Sequence, residues 1–247
     1  MREGEVVYGV HAVMRALNSQ RPGVLYVKED AKSSRLETLL NERRSMHSLE
    51  AVDTLTLERL SGTRDHQNVA FQFLGGTVSE VSFDTLLEPK AGRRLILALD
   101  GVSDPGNLGA CLRSAATYGV DAVLVPKHGS APMNATVHKR SAGAAASIPV
   151  LSVTNLSRSL RQLKEAGYWV IGTAVTGEAE ALDHASLIGD LVLVMGSEGD
   201  GMRLNVQKQC DLLVLIPMLD ASFTLNVSVA TGICLYEIDR QRRLGQD

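Results

Sequence analysis

The chain has 247 residues, 45% of them hydrophobic and 21% charged, with a formal net charge of −3. That length supports one substantial core or two unequal ones, and a slightly acidic total excludes a generic polyanion binder. No apolar run approaches the roughly 20 residues of a membrane span, and the opening MREGEVVYGVHAV lacks a secretory signal, so the expected location is the cytoplasm.

Residues 1 to about 75 alternate strand-like runs (GVLYVKED, HSLEAVD, NVAFQFLG) with amphipathic helical ones (GVHAVMRALNS, SSRLETLLNERRS), which predicts a small α/β unit. Residues 76–92 carry Gly and Pro with no persistent period and read as a linker. From residue 93 to 247 the pattern turns regular. RLILALDGV is an apolar strand, GNLGACLRSAATYG a helix, VDAVLVP a strand, TVHKRSAGAAASI a helix and VLSV a strand. SLRQLKEAGY is then a helix, WVIGTAV, LVLVMG and LLVLIPM are strands, and a closing helix runs from about Asn226 to Arg243. Apolar strands alternating with helices predict a parallel sheet covered on both faces, with ligands beyond the carboxyl ends of its strands. The loops DGVSDPGNLG, GTAVTG, GSEGDG and PMLDASFTLN would then share one rim.

Several chemistries are excluded. The chain has no GxGxxG after its first strand, no GxxxxGK[ST], no GxSxG, no CxxC and no HExxH. Its six histidines show no ligand spacing, so no metal is expected, and its three cysteines (Cys111, Cys210, Cys234) read as reduced core residues. Between Asp121 and Glu165 there is no acidic residue, while Lys127, Lys139, Arg140, Arg158, Arg161 and Lys164 all fall there. This run is either a solvated face or a local phosphate-binding footprint.

Among the rim residues, Asn107 reads first as the cap of the helix after Asp104-Pro105-Gly106. Arg113, a lone arginine among small residues, either snorkels or meets an anion. Glu198, between glycines, either favours the start of a short helix or holds a partner such as Asn226. Thr224, Asn226 and Ser228 open the last helix, where polar side chains either cap or do chemistry.

Together, LDGVSDPGNLGACLRSAATYGVDAV, LVLVMGSEGDGM and LIPM…TLNVSVATGICLYE resemble the three ordered motifs of the SpoU (TrmH) family of RNA ribose 2′-O-methyltransferases, over residues 93 to 243. YGVHAVMRAL and DHQNVAF resemble the small L30e-like substrate-binding domain of one branch. The resemblance implies a SPOUT domain, a parallel sheet tied in a trefoil knot, which sequence reasoning alone would reject because knots are nearly absent from proteins. It implies bent S-adenosylmethionine held largely by backbone groups at Gly172, Thr173, Ala174, Gly196, Ile216, Met218 and Leu225. It implies a homodimer with a site formed across the interface, and a guanosine in the peptidyl-transferase loop of 23S rRNA as target. Lys127, Lys139 and Arg140 become candidate RNA contacts. Arg113 becomes a phosphate clamp or the base; the clamp is favoured, because a guanidinium with a pKa above about 12 gives up its proton reluctantly. Asn107 would orient the hydroxyl or Arg113, Glu198 and Asn226 would support it, and Ser228 would lie near cofactor or ribose.

Two departures from the family pattern bear on these expectations. Thr224 stands where Ser is usual, beside Phe223 in place of a small residue; the hydroxyl is kept, so activity is expected to survive. Asn68 stands where Gly is common, and Asn tolerates the left-handed conformation. A tRNA target, an inactive RNA-binding relative and an unrelated oxidoreductase are the rivals. They are disfavoured respectively by the N-terminal domain, by the intact Asn107, Arg113, Glu198 and Asn226, and by the missing glycine fingerprint.

Overall fold

The computed structural model describes residues 6–18, 22–31, 33–43, 45–74, 81–89, 92–174, 179–197, 199–220 and 224–245. Glu198 and Phe223 therefore lie outside the described residues. Two compact units are formed: Met1–Glu80 with Met133–Ser147, and Val81–Pro132 with Ile148–Asp247.

The smaller unit runs β1 (Val6–Tyr8), α1 (Val10–Asn18), β2 (Gly23–Lys28), α2 (Ser34–Asn41), β3 (His47–Val52), α3 (Thr54–Ser61) and β4 (Val69–Phe73). Its sheet has the order β1-β4-β2-β3, with β2 and β3 parallel and the other pairs antiparallel. The helices start on side-chain caps, as the polar residues before them allow: Ser33 accepts from the Leu36 N–H and Asp53 from the Thr56 N–H. Buried Phe71, Phe73, Leu17, Leu25 and Leu39 fill the core between sheet and helices. Asn68 takes φ 62°, the left-handed conformation expected of it, and Gln67 joins it at φ 54°. The reason for the second is visible: Gln67 Oε1 accepts the Val10 N–H at 3.0 Å, capping α1.

The segment from Met133 to Ser147, in the same unit, holds α6 (Ala135–Arg140) and a 3-10 turn at Ala144–Ala146. The single helix expected over TVHKRSAGAAASI is thus broken. Ala142 and Gly143 both adopt positive φ, and Ser141 Oγ accepts the Ala145 N–H, giving the backbone a local alternative to the helix. Gly143 is required: a Cβ there would lie 3.2 Å from Ala12 Cα, on top of a φ of +87°.

The larger unit contains α4 (Phe83–Leu87), β5 (Leu95–Asp100), α5 (Pro105–Thr117), β6 (Ala122–Pro126), β7 (Val150–Val153), α7 (Leu156–Glu165), β8 (Trp169–Thr173), β9 (Glu180–Ala181), β10 (Leu191–Gly196), α8 (Leu204–Gln207), β11 (Leu212–Leu215) and α9 (Val227–Leu244). Its strands, ordered β7-β6-β5-β10-β8-β11-β9, pair in parallel throughout. Every residue of β5 and β6 is buried, as expected of strands covered on both faces. Ile96, Ala98, Leu124, Val192 and Val194 pack with Leu86, Leu156, Leu160 and Leu163 of α4 and α7. Leu86 thus anchors a helix inside the stretch that read as a linker.

The amino ends of the strands are locked by polar side chains. Asp190 Oδ1 accepts the Arg94 N–H and Asp121 Oδ2 the Leu95 N–H. Near the far end of α9, the Arg242 guanidinium donates to the Arg94 and Gly189 carbonyls. Burial lowers the Arg242 pKa from the ordinary arginine value. These contacts tie down the amino-end rim, and the carboxyl ends of the parallel strands share the opposite one.

Candidate active site

At the carboxyl ends of β8, β10 and β11 the larger unit opens a cleft of about 290 Å³. Three segments build it: the end of β8 with Thr173 and Ala174, the end of β10 and the turn beyond it from Gly196 to Met202 with Glu198 undescribed, and Ile216, Met218, Thr224 and Leu225 between β11 and α9. Of the seven expected cofactor residues, Thr173, Ala174, Gly196, Ile216, Met218 and Leu225 line the cleft. Gly172 lies behind it, where a Cβ would come within 2.6 Å of both Cys210 Sγ and Met202 Cε. Gly196 permits a still closer approach: its Cβ would lie 2.3 Å from the Gly201 carbonyl carbon and 2.4 Å from the Met202 nitrogen. Asp200, Gly201, Met202 and Gln207 also line the cleft, although the sequence patterns did not single them out.

Burial pushes the Cys210 thiol, packed next to Gly172, up to about 12, and Cys234 in α9 likewise. Both stay protonated at neutral pH. Treatment of the native protein with iodoacetamide at pH 7.5 should leave these two thiols unlabelled, as read by mass spectrometry of tryptic peptides.

Beside the cleft, the first and third motifs meet. Asn226 Nδ2 donates to Asn107 Oδ1 at 3.0 Å, across 119 residues of sequence. Asn107 does not cap α5, contrary to the first reading. Asp104 holds that position, accepting the Asn107 N–H at 2.7 Å, and Pro105 opens the first turn. Relieved of capping, the Asn107 side chain faces Asn226. Asn226 does cap α9, accepting the Ser228 N–H at 2.9 Å and the Ser228 hydroxyl at 2.6 Å. Capping and site geometry coincide there.

Arg113 is not brought to this point. Six residues beyond Asn107, it lies about 240° further round the helix. It lines a second groove of about 410 Å³ between α5 and α9, with Thr117, Tyr118, Val229, Ile233 and Tyr236. Its side chain is exposed, so the cost of an unpaired buried guanidinium does not arise. The two helices approach closely because their contact uses small residues: Cys111 and Thr231 meet at 3.5 Å, and a Cβ on Gly232 would lie 3.7 Å from Ser114 Oγ.

The candidate RNA contacts are divided between the units. Lys127 follows β6 in the larger unit, whereas Lys139 and Arg140 end α6 in the smaller one. Lys139 pairs with Asp65 there and lies 6.0 Å from the centre of the Tyr8 ring.

The chain matches the SpoU rRNA Methylase family over residues 94–236 and the RNA 2'-O ribose methyltransferase substrate binding family over residues 6–74. It belongs to the SpoU methylase family. The 23S rRNA (guanosine-2'-O-)-methyltransferase RlmB of Vibrio vulnificus is 44% identical over 247 residues, covering 98% of this chain and 99% of its own. A solved RNA 2'-O ribose methyltransferase is 25% identical with a TM-score of 0.76, over 98% of this chain and 90% of its own. The SpoU methyltransferase AviRb from Streptomyces viridochromogenes, solved in complex with the cofactor AdoMet, shares the fold with a TM-score of 0.80 at 22% identity, over 99% of this chain and 92% of its own.

The residues present would suit S-adenosylmethionine. Apolar Ile216, Met218, Leu225 and Val227 offer a surface for flat and aliphatic parts, and Gly196, Gly199 and Gly201 leave the backbone of the opposite lining without side chains over it. Thr224 lines the cleft and is exposed, so its extra methyl has room. Thr224→Ser should therefore change kcat/KM for S-adenosylmethionine by less than about threefold, measured by steady-state kinetics. No helix among the described residues is long and apolar enough to cross a membrane. No group of three or more His, Cys, Asp or Glu side chains suited to a metal occurs among them either.

Proposed function

We propose that this SpoU protein transfers a methyl group from S-adenosylmethionine to the ribose 2′-OH of a guanosine in the peptidyl-transferase loop of 23S rRNA, acting in the cytoplasm. The observation that carries the reading is the Asn226–Asn107 hydrogen bond, which ties the first and third motifs together beside a cleft walled by six of the expected cofactor residues. The near full-length likeness to a 23S rRNA guanosine methyltransferase supports the choice of RNA and base.

When bound, S-adenosylmethionine supplies an electrophilic sulfonium methyl. The remaining requirement is alignment and activation of a weakly acidic hydroxyl. Thr173, Ala174, Gly196, Ile216, Met218 and Leu225 hold the cofactor, and Thr224 closes the edge of its site. Asn107, held by Asn226, orients the ribose hydroxyl. Arg113 clamps the adjacent 3′-phosphate, and its fixed positive charge favours loss of the hydroxyl proton to solvent water.

The position of Arg113 on an outward groove favours a homodimer packed through α5 and α9. There the exposed Val229, Ile233 and Tyr236 supply apolar area, and each copy's Arg113 serves a site shared with the other. The larger unit carries a trefoil knot in this reading, as the family resemblance implies. Lys127 and Arg140, with Lys139, supply phosphate contacts, and the smaller unit binds substrate RNA.

Radiolabelled methyl transfer from S-adenosylmethionine to 23S rRNA fragments and to bulk tRNA tests the proposal. Labelling of a 23S fragment that contains the peptidyl-transferase loop, and not of tRNA, is expected. Labelling of tRNA alone would replace the target, and labelling of neither would remove the enzymatic reading.

A further inference from the structure

The last residue of β5 is an acid in an otherwise apolar strand, LILALD, and the Asp100 side chain is fully buried. Among the described residues three donors reach it, all from Arg203. The Arg203 backbone N–H meets Oδ2 at 2.8 Å, Nε meets Oδ1 at 2.8 Å, and a terminal guanidinium nitrogen meets the same Oδ1. A buried carboxylate is costly unless it is paired and hydrogen-bonded, and a forked guanidinium is the side chain that can do both at once. The Arg203 side chain itself stays half exposed, so nothing about its own burial requires the contact.

What the contact does fix is a stretch of chain. Gly199, Asp200, Gly201 and Met202 immediately precede Arg203, and all four line the cleft. At the other end of this loop, Gly196 is the sheet partner of Asp100 in the β10–β5 ladder. Both ends of the loop are therefore referred to one residue of β5, one end through the sheet and the other through the ion pair. Between them, Ser197 and Gly201 exchange backbone hydrogen bonds of 3.0 and 3.2 Å, which close the turn but do not attach it to the sheet. The Asp100–Arg203 pair supplies that attachment. It also excludes simple replacement: a lysine has no fork and no Nε to reach Oδ1 in the same way.

We infer that Asp100 and Arg203 are positioning residues that hold the 199–202 wall of the cleft against β5, and that they set affinity for S-adenosylmethionine more than the rate of methyl transfer. This rests on the reading that the cleft binds that cofactor. The pair lies outside the cleft lining and acts through the loop.

The test compares wild type, Arg203→Ala, Arg203→Lys, Asp100→Asn and the double variant Asp100→Asn/Arg203→Ala. It uses equilibrium dialysis with labelled S-adenosylmethionine, steady-state kinetics and thermal melting. Arg203→Ala should raise Kd and KM for the cofactor roughly tenfold to a hundredfold, as expected for loss of charge-assisted hydrogen bonds to a loop that must be ordered. Its kcat at saturating cofactor should stay within about threefold of wild type. Arg203→Lys should recover part of the affinity, and the double variant should be no weaker than the worse single one, because the two residues act as a unit. Should Arg203→Ala not fold, Arg203→Lys and Asp100→Asn carry the same comparison. A wild-type Kd in folded Arg203→Ala, or a loss confined to kcat, would overturn the inference while leaving the cofactor reading intact. A wild-type chain that binds no S-adenosylmethionine would overturn both.

Discussion

Arg113→Ala should lower kcat for methyl transfer by about a hundredfold to a thousandfold, the range seen when one group that stabilises developing charge is removed. Affinity for S-adenosylmethionine should stay within about twofold of wild type, because Arg113 lines the α5–α9 groove and takes no part in the cofactor cleft. Its exposed side chain contributes little to the packing of α5 within one chain. Arg113→Lys should recover only part of the rate, because an ammonium keeps the charge but not the planar fork that grips two phosphate oxygens. Equilibrium dialysis alongside transfer assays separates the two effects. Loss of cofactor binding in parallel with activity would make Arg113 a structural residue.

Gly196→Ala should have an equally large effect by a different route. The added Cβ would meet Gly201 and Met202 backbone atoms at 2.3 and 2.4 Å, so no side-chain rotation relieves the clash. Either β10 separates from β5 at its last pair, or the 199–202 wall moves into the cleft. Overpacking of this kind typically costs about 1–3 kcal/mol, and with contacts this short the upper end applies, corresponding to a fall in Tm of roughly 6–12 °C. Cofactor affinity should fall at least about tenfold, because the displaced loop forms one side of the cleft. Gly172→Ala should be milder in comparison. There the clash is with the far ends of Cys210, Met202 and Leu213 side chains, which can shift. Calorimetric melting and equilibrium dialysis of the two variants read this order directly.

How far the sequence revealed these features depended on whether the deciding signal was local. The parallel sheet was legible because LILALD, AVLVP and LVLVMG are continuous apolar runs, the pattern of strands buried on both faces. The rim loops were legible for the same reason, since the carboxyl ends of such strands are where ligands bind. β1 and α3 were missed: β1 is three residues long, and the TLTLERLS helix is short, though Asp53 before it and Gly62 after it are readable caps. The TVHKRSAGAAASI stretch was read as one helix because alanine has high helical propensity, whereas Gly143 and the Ser141 back-bond break it.

At the site, the cofactor residues rested on the order of three motifs, and the cleft gathers six of the seven. The role of Asn107 turned on a contact the local pattern could not show. Asp104, three residues earlier, satisfies the helix start, and only the tertiary approach of α9 gives the Asn107 side chain its partner. The Asp100–Arg203 pair is separated by 103 residues, and the lone acid at the end of LILALD was its only local trace. Arg113 is the converse case. The sequence marked it as unusual, but its face of α5 opens outward onto a groove that shares no lining residue with the cleft.

Transfer of the methyl group to a guanosine ribose is open to direct test. It is tested most directly by incubating the protein with S-adenosylmethionine and unmodified 23S rRNA transcript, then digesting the RNA to nucleosides for mass spectrometry. One new species is expected, 2′-O-methylguanosine, lost when Arg113 is replaced by Ala. A methyl group on the guanine base, or on the ribose of another nucleoside, would contradict it.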